Sequence, residues 1–83
     1  MTKEEVKTSL LNIISEIVPD EDVMNLEGNT SIRDQIDLDS MDFLDIIMEL
    51  RKKYKVEIPE EDYPELATMN SSVTYLEPLL VDK

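Results

Sequence analysis

Apolar residues near the start of the chain recur at the spacing of a helix. Thr2 and Glu5 match a capping box, in which a hydroxyl and a carboxylate bond free amides of the first turn. The apolar residues that follow share one stripe, at Val6, Leu10, Ile13, Ile14 and Ile17. Because Pro19 and the acids after it interrupt this period, the pattern predicts a first helix between Thr2 and Pro19.

The chain from Pro19 to Asp39 shows no sustained period and contains the only glycine, Gly28. We interpret it as a long loop between the first and second helices. A loop of this length is unusual in so small a domain unless it packs against the helices. We therefore expect its apolar residues to dock, at Val23, Met24, Leu26, Ile32, Ile36 and Leu38.

A second helix is predicted from Ser40 to about Tyr54. Asp39 can cap its free amides, and Asp42 adds negative charge to its first turn. Four cations crowd its other end, at Arg51, Lys52, Lys53 and Lys55. Acids first and bases last both suit the helix dipole. At about 100° per residue the core candidates share one side, at Phe43, Ile46, Ile47, Leu50 and Tyr54.

Two shorter segments complete the pattern. The acidic stretch 60–62 opens a short helical segment in which Tyr63 and Leu66 face inward. Thr68 is the predicted N-cap of a last helix, which Pro78 kinks or ends. The buried side of that helix is expected at Val73 and Leu76, with Met69 and Leu79 beside them. The predicted fold is all-α: a small antiparallel bundle of three longer helices plus one short helix, forming a single domain over residues 1–83.

The net charge narrows the classes of partner. The chain has 8 Lys and Arg against 20 Asp and Glu, a net charge of −12 at pH 7. Phosphate backbones and anionic lipids attract proteins through Lys and Arg, so neither nucleic-acid nor membrane binding is expected. The apolar runs are too short for a signal peptide or a membrane span, and we expect a cytoplasmic protein. The chain has no His and no Cys, which excludes disulfides, Cys/His zinc sites and Ser–His or Cys–His catalysis.

Ser40 is a chemical candidate because it follows a loop and starts the second helix. One reading is a serine with only a capping role. A catalytic serine needs a base to take its proton, and the chain has no His. A serine that receives a group from another enzyme needs only exposure, and the amides and dipole at a helix start favour a phosphate there.

The run from Ile36 to Asp42, with Asp39-Ser40-Met41 at its centre, resembles the Asp-Ser-Leu attachment motif of acyl carrier proteins. The resemblance extends over nearly the whole chain, including the turn 56–59 and the Thr68 helix start. It implies that a separate transferase adds 4′-phosphopantetheine from coenzyme A to Ser40, with Asp39 as its motif neighbour. The thiol of that group would hold acyl intermediates as thioesters and carry them between enzymes of fatty-acid, lipid or secondary-metabolite synthesis.

Two residues depart from the motif of that family. Asp37 stands where the family usually has Gly, three residues before the serine, and Met41 stands where Leu is commonest. Both departures leave the hydroxyl in place. They bear on which transferase and which downstream enzymes accept the protein.

The second helix carries another stripe beside its core side, made of Met41, Asp45, Met48 and Lys52 and bordered by Asp42 and Glu49. Methionines at helical spacing are often core residues, and this reading stays open. The intervening Asp45 and Lys52 resist burial, however, and favour an exposed, adaptable contact surface. The resemblance implies that phosphopantetheinyl transferase and acyl-transferring or acyl-modifying enzymes dock here through basic surfaces, near Asp37 at the acidic end.

Arg51 and Lys52 break the acidic pattern that many fatty-acid carriers continue at this end of the helix. Complementarity to the helix dipole explains both residues, and so does recognition of an acidic partner surface. We include both in the predicted partner surface.

Other functions remain to be weighed against a monomeric carrier that catalyses nothing itself. The alternative is an acidic helical interaction module, an inhibitor or nucleic-acid mimic that acts on a basic protein partner without modification of Ser40. A calcium loop fails on spacing, because starting at Asp20 or Asp37 places neither Gly sixth nor Glu twelfth, and no metal site is predicted.

An aliphatic cargo would gain from burial in the core, at Phe43, Ile47, Ile58 and Tyr63. The sequence leaves the cargo and the pathway open.

Overall fold

A computed structural model describes residues 1–81 of the chain. The helices are α1 Lys3–Ile17, α2 Ile32–Gln35, α3 Ser40–Tyr54, a 3₁₀ helix Glu60–Leu66 and α4 Met69–Leu79. Across residues 1–81 the single β pairing is an isolated antiparallel bridge between Ser31 and Thr68. The all-α prediction is therefore confirmed. No helix within this span is long and apolar enough to cross a membrane.

The capping box that begins α1 is present as predicted. The Glu5 amide donates to the Thr2 hydroxyl at 3.2 Å, and the Thr2 amide donates to the Glu5 carboxylate at 2.9 Å. The hydrogen bond from the Thr2 amide lowers the pKa of Glu5. α4 begins in the same way, because the Ser71 amide donates to the Thr68 hydroxyl at 3.1 Å. Both helices thus start where the sequence pattern placed them.

α1 packs against both α3 and α4, and the 3₁₀ helix packs against α4. The core receives Val6, Leu10, Ile13 and Ile14 from α1 and Ile46, Ile47 and Leu50 from α3. Phe43 and Tyr54, also predicted in the core, are only half-buried because they lie in the first and last turns of α3. The stripe predicted for α1 is confirmed up to Ile17, which is half-buried at the end of the helix.

The loop between α1 and α3 differs from the prediction in two respects. It contains α2, a single helical turn that is too short to show a period in the sequence. It also leaves Met24 exposed over 77% of its surface, although Val23 beside it is buried. The cause is a local turn, in which the Met24 amide and the Asn25 side chain both donate to the Asp22 carboxylate, at 3.2 and 2.7 Å.

The rest of this loop docks across the helices as expected. Ile32, Ile36 and Leu38 are buried, and Leu26 packs against the core. Main-chain bonds hold the loop at the start of α4: the Ile32 amide donates to Ala67 at 2.8 Å and the Asn70 amide to Gly28 at 3.0 Å. These bonds explain how a long connection stays ordered in a small domain.

At the end of α4 the predicted burial of Leu79 is wrong. Leu79 is 38% exposed, whereas Leu80 is 1% exposed. At about 100° per residue, Leu80 falls between Met69 and Val73 in the middle of the buried side, and Leu79 falls at its edge, beyond Ser72. The helix ends at Leu79, one residue after Pro78, as the proline predicted. The Met1 ammonium donates to the Leu80 carbonyl at 3.1 Å.

Candidate functional site

Ser40 is the first residue of α3, and its side chain is exposed. The capping box at this helix start uses its neighbours instead: the Asp42 amide donates to Asp39 at 2.8 Å, and the Asp39 amide donates to Asp42 at 3.4 Å. Asp39 is thus the N-cap, as predicted. The reciprocal bond of Asp42 was not foreseen, although a carboxylate three residues after the cap is its signal. Because the cap is complete without Ser40, the serine hydroxyl remains open to solvent.

Three contacts fix the segment that leads into Ser40. Leu38 is buried, and its carbonyl accepts a hydrogen bond from Arg33 Nε at 3.1 Å. The Asp37 amide donates to the Glu21 carboxylate at 2.7 Å, while the Asp37 side chain is exposed. The burial of Leu38 was expected, but the two hydrogen bonds were not, since neither follows a regular helical spacing and that of Asp37 joins residues sixteen apart in the sequence. They hold the start of α3 at a fixed place on the core.

The charges around Ser40 suit a group acceptor better than a nucleophile within an enzyme. Asp37, Asp39 and Asp42 surround it in sequence, and the chain supplies no His as a base. The first amides of α3 precede any intrahelical bond and can face a phosphate attached to the hydroxyl. An exposed hydroxyl at a helix start therefore fits a phosphodiester-linked group that another enzyme delivers.

A cavity of about 320 Å³ lies beneath α3. Its polar lining is Ser31, Arg33 and Ser72, and its apolar wall consists of Leu10, Ile14, Ile32, Leu38, Phe43, Ile46, Leu50, Tyr63, Pro64, Leu66 and Ala67. Phe43 and Tyr63 meet edge to face, with ring centroids 5.9 Å apart and an interplanar angle of 77°. Phe43 and Tyr63 were expected to line a cargo site, but Ile47 and Ile58 are packed in the core outside this cavity. Phe43 lies three residues after Ser40, so one edge of the cavity is close to the attachment candidate.

The methionine stripe of α3 is exposed. Met41 is 74% exposed and Met48 is 64% exposed, so the reading of both as a widened core face is wrong. Leu44 lies between them on the same side and is also exposed, at 44%. Its i+3 spacing from Met41 is the sequence signal that places Leu44 on this exposed stripe. Asp45 and Lys52 are exposed, and Asp42 and Glu49, on the border, are half-buried.

Arg51, Lys52, Lys53 and Lys55 are exposed at the other end of α3. Lys55 caps this end in the left-handed backbone conformation, with φ 55° and ψ 36°. The cations and the acids thus occupy opposite ends of one helix. Within residues 1–81, no three His, Cys, Asp or Glu side chains converge as metal ligands.

Comparison with known families defines the class of this site. A family model described as a phosphopantetheine attachment site matches residues 8–76, a span that includes all of α3. The prosthetic group of this class is 4′-phosphopantetheine. The exposed hydroxyl of Ser40 is chemically suited to such a group.

Curated relatives narrow the class to carriers of acyl groups. The acyl carrier protein of Acidothermus cellulolyticus is 31% identical over 78 residues, which cover 92% of this chain and 89% of that protein. The acyl carrier protein of an Exiguobacterium species is 30% identical over 77 residues, covering 93% and 96%. The meromycolate extension acyl carrier protein of Mycobacterium leprae is 33% identical over 79 residues, covering 95% and 68%.

The chain belongs to the acyl carrier protein family. Its function is to carry acyl groups, and the alternative of an acidic interaction module is not favoured. Proteins of this family serve as carriers and work with phosphopantetheinyl transferase and acyl-handling enzymes.

Proposed function

We propose that Ser40 is the attachment site of 4′-phosphopantetheine in this carrier. The observation that supports it is the exposed Ser40 hydroxyl at the start of α3, left free by the Asp39–Asp42 capping box. In the transfer, the Ser40 oxygen forms a bond to the phosphorus next to pantetheine, the pyrophosphate bond of coenzyme A breaks, and adenosine 3′,5′-bisphosphate leaves. The transferase supplies the base that takes the serine proton, because this chain has no His.

Intact mass after incubation with coenzyme A and a broad-specificity phosphopantetheinyl transferase tests the assignment. We expect the wild type to gain the mass of one phosphopantetheinyl group and Ser40→Ala to gain none. Ser15→Ala is the matched control, since Ser15 is an exposed serine on α1. An equal gain in Ser40→Ala, or no gain in the wild type, contradicts the proposal.

The residues around Ser40 have positioning roles in this proposal. Asp39 caps α3 and sets the orientation of its first turn. Arg33 and Leu38 hold the approach to the serine through their hydrogen bond. The thiol of the bound prosthetic group supplies the thioester chemistry, so the protein itself needs no catalytic residue, and we propose that it catalyses nothing on its own.

We further propose that partner enzymes dock on the exposed face of α3. Met41, Leu44 and Met48 offer flexible apolar contacts, and Asp37, Asp42, Asp45 and Glu49 offer carboxylates to basic surfaces. Arg51 and Lys52 continue the face with the opposite charge. Thioethers adapt to several partner shapes, which suits a carrier that visits more than one enzyme.

The cavity beneath α3 supports an aliphatic cargo. A wall made mostly of apolar side chains would stabilise a buried hydrocarbon chain, by about 25 cal/mol per Å² removed from water. Loading the protein with a medium-length alkyl thioester should raise its melting temperature more than loading it with a short polar one. We also retain the expectation of a single-domain monomer in the cytoplasm, for which the dispersed carboxylates of the surface are the support.

A further inference from the structure

The C-terminal end of α3 forms one wall of an open groove of about 450 Å³. Met48, Arg51, Lys52 and Lys55 line this wall at i, i+3, i+4 and i+7 spacing. The chain that follows the helix forms the other wall, at Val56 and Glu57. Met48 is 64% exposed and the three cations are exposed, so an apolar contact lies directly beside positive charge.

The helix dipole alone does not explain this groove. Cations anywhere in the last turn satisfy the dipole, and Arg51, Lys52 and Lys53 already do so. Lys55 lies beyond that turn in the left-handed conformation, where Gly or Asn is usual because a side chain is disfavoured there. A lysine at this position adds a fourth cation to the helix end and places it in the groove.

We propose that this groove docks an acidic segment of a partner protein. The carboxylates of that segment pair with Arg51, Lys52 and Lys55, and one apolar side chain packs on Met48. The charged lining carries 3 cations and 1 carboxylate, a net charge of 3 − 1 = +2 within a protein of −12. The inference extends the docking role proposed above for α3, but it does not depend on modification of Ser40.

Charge complementarity selects this occupant over the others. A basic surface of the kind that suits the acidic end of α3 is repelled at this end. A second copy of this chain has acids to offer, but two proteins of −12 repel each other as whole molecules. α3 therefore presents surfaces of opposite sign at its two ends, about four turns apart, and can distinguish partners by the sign of their charge.

Two synthetic peptides test the groove: one alternates Glu with Leu, and the other carries Gln in place of every Glu. Each peptide is titrated into the full-length ¹⁵N-labelled protein and into its Ser40→Ala variant. We expect the acidic peptide to shift the amide signals of Met48, Lys52 and Val56 in both proteins. Binding should weaken strongly at about 1 M NaCl, where the screening length falls to about 3 Å.

A double substitution, Lys52→Gln with Lys55→Gln, should weaken binding of the acidic peptide by at least about threefold. The control, Lys3→Gln with Lys7→Gln, removes two exposed cations from α1 and should leave the affinity for the acidic peptide unchanged. Matching melting temperatures for the two double variants exclude unfolding as the cause. Equal binding of both peptides, or an unaltered affinity after loss of Lys52 and Lys55, overturns the proposal.

Other occupants give distinct results that also overturn it. Shifts at the groove that grow with protein concentration alone identify a second copy, and shifts with anionic phospholipid vesicles but not with the acidic peptide identify a membrane. Mass gain at Ser40 without peptide binding removes the groove proposal alone. Peptide binding without mass gain removes the attachment proposal alone.

Discussion

The Tyr75 hydroxyl donates a hydrogen bond to the Asp62 carboxylate at 2.7 Å, and this bond joins α4 to the 3₁₀ helix. The 3₁₀ helix supplies Tyr63, Pro64 and Leu66 to the cavity wall. The Ser71 hydroxyl supports the same connection by donating to the Glu65 carbonyl at 2.6 Å. One side of the cavity is therefore held by polar contacts with α4.

Removing the Tyr75 hydroxyl should change how the stability of the fold depends on pH. Burial, followed by the hydrogen bond to Asp62, raises the pKa of Tyr75 to about 12. The unfolded phenol ionises near pH 10, so this stabilisation is complete below pH 10 and is lost as the pH rises to about 12. Tyr75→Phe should lower the free energy of unfolding by about 1 kcal/mol at pH 7. Between pH 10 and 12 the variant should lose less of its unfolding free energy than the wild type does. Thermal melts over this range measure both effects, and parallel pH profiles for the two proteins would contradict the prediction.

Asp39→Ala should destabilise the start of α3. Loss of the N-cap leaves the Asp42 amide without its partner and should cost about 1 kcal/mol of unfolding free energy, measured by urea titration. Asp45→Ala is the matched control, because Asp45 is an exposed aspartate of the same helix outside the capping box, and it should change stability by less than about 0.5 kcal/mol. Equal effects of the two substitutions would count against the capping role.

Gly28→Ala should act through Asn70. A Cβ at Gly28 would lie 2.6 Å from the Asn70 side-chain oxygen, and Asn70 donates to the Asn29 side chain at 2.8 Å. Displacing Asn70 breaks that bond and should cost about 1 kcal/mol. In an Asn70→Ala background the same substitution should be neutral or stabilising, since Ala restricts the unfolded chain more than Gly does. A double-mutant cycle of unfolding free energies measures the difference, and additive effects would disprove the contact.

Lys55→Gly should stabilise the protein by about 0.5–1 kcal/mol. The left-handed backbone costs an L-residue roughly 1–2 kcal/mol, and the greater unfolded freedom of Gly offsets part of this gain. Lys53→Gly, at a helical position of the same turn, should instead destabilise by about 0.5–1 kcal/mol. Chemical denaturation of the two variants should show changes in unfolding free energy of opposite sign. Changes of the same sign would refute the backbone explanation.

Met41→Gln with Met48→Gln should slow phosphopantetheine transfer without unfolding the protein. Both side chains are exposed, so their replacement leaves no cavity in the core. Loss of two apolar contacts should reduce the transfer rate at limiting carrier by about threefold or more. Met24→Gln is the control, since Met24 is an equally exposed methionine in the preceding loop, outside the proposed docking face, and should not affect the rate.

The parts of this fold that depend on local chemistry were predictable. Thr2, Asp39 and Thr68 each begin a helix as their side chains indicate, because capping is decided within a few residues. α2 escaped prediction because four residues carry no period. Leu80 lies buried just past the end of α4, where the predicted stop at Pro78 left no helical position for it, although continuing the helical angle by one residue identifies it.

In the candidate site, too, the features that depend on local sequence were predictable and those that depend on tertiary packing were not. The place of Ser40 and the exposure of Met41 and Met48 followed from a motif and from the cost of burying their charged neighbours. The bond between Asp37 and Glu21 and the cavity wall formed by Tyr63 depend on packing between segments that are distant in the sequence. No spacing rule along one helix contains that information.

Two sides of the cavity are closed by contacts of different kinds. Ile32 and Ala67, both in its wall, are joined by a main-chain hydrogen bond, whereas Phe43 and Tyr63 meet only through their rings. Ring rotation breaks no backbone bond, so under the proposed cargo function the side of the cavity formed by the two rings is where an acyl chain would enter. Because Phe43 follows Ser40 by less than one helical turn, that entrance would lie beside the proposed attachment site, and an acyl chain could move between cavity and solvent while the bundle stays folded.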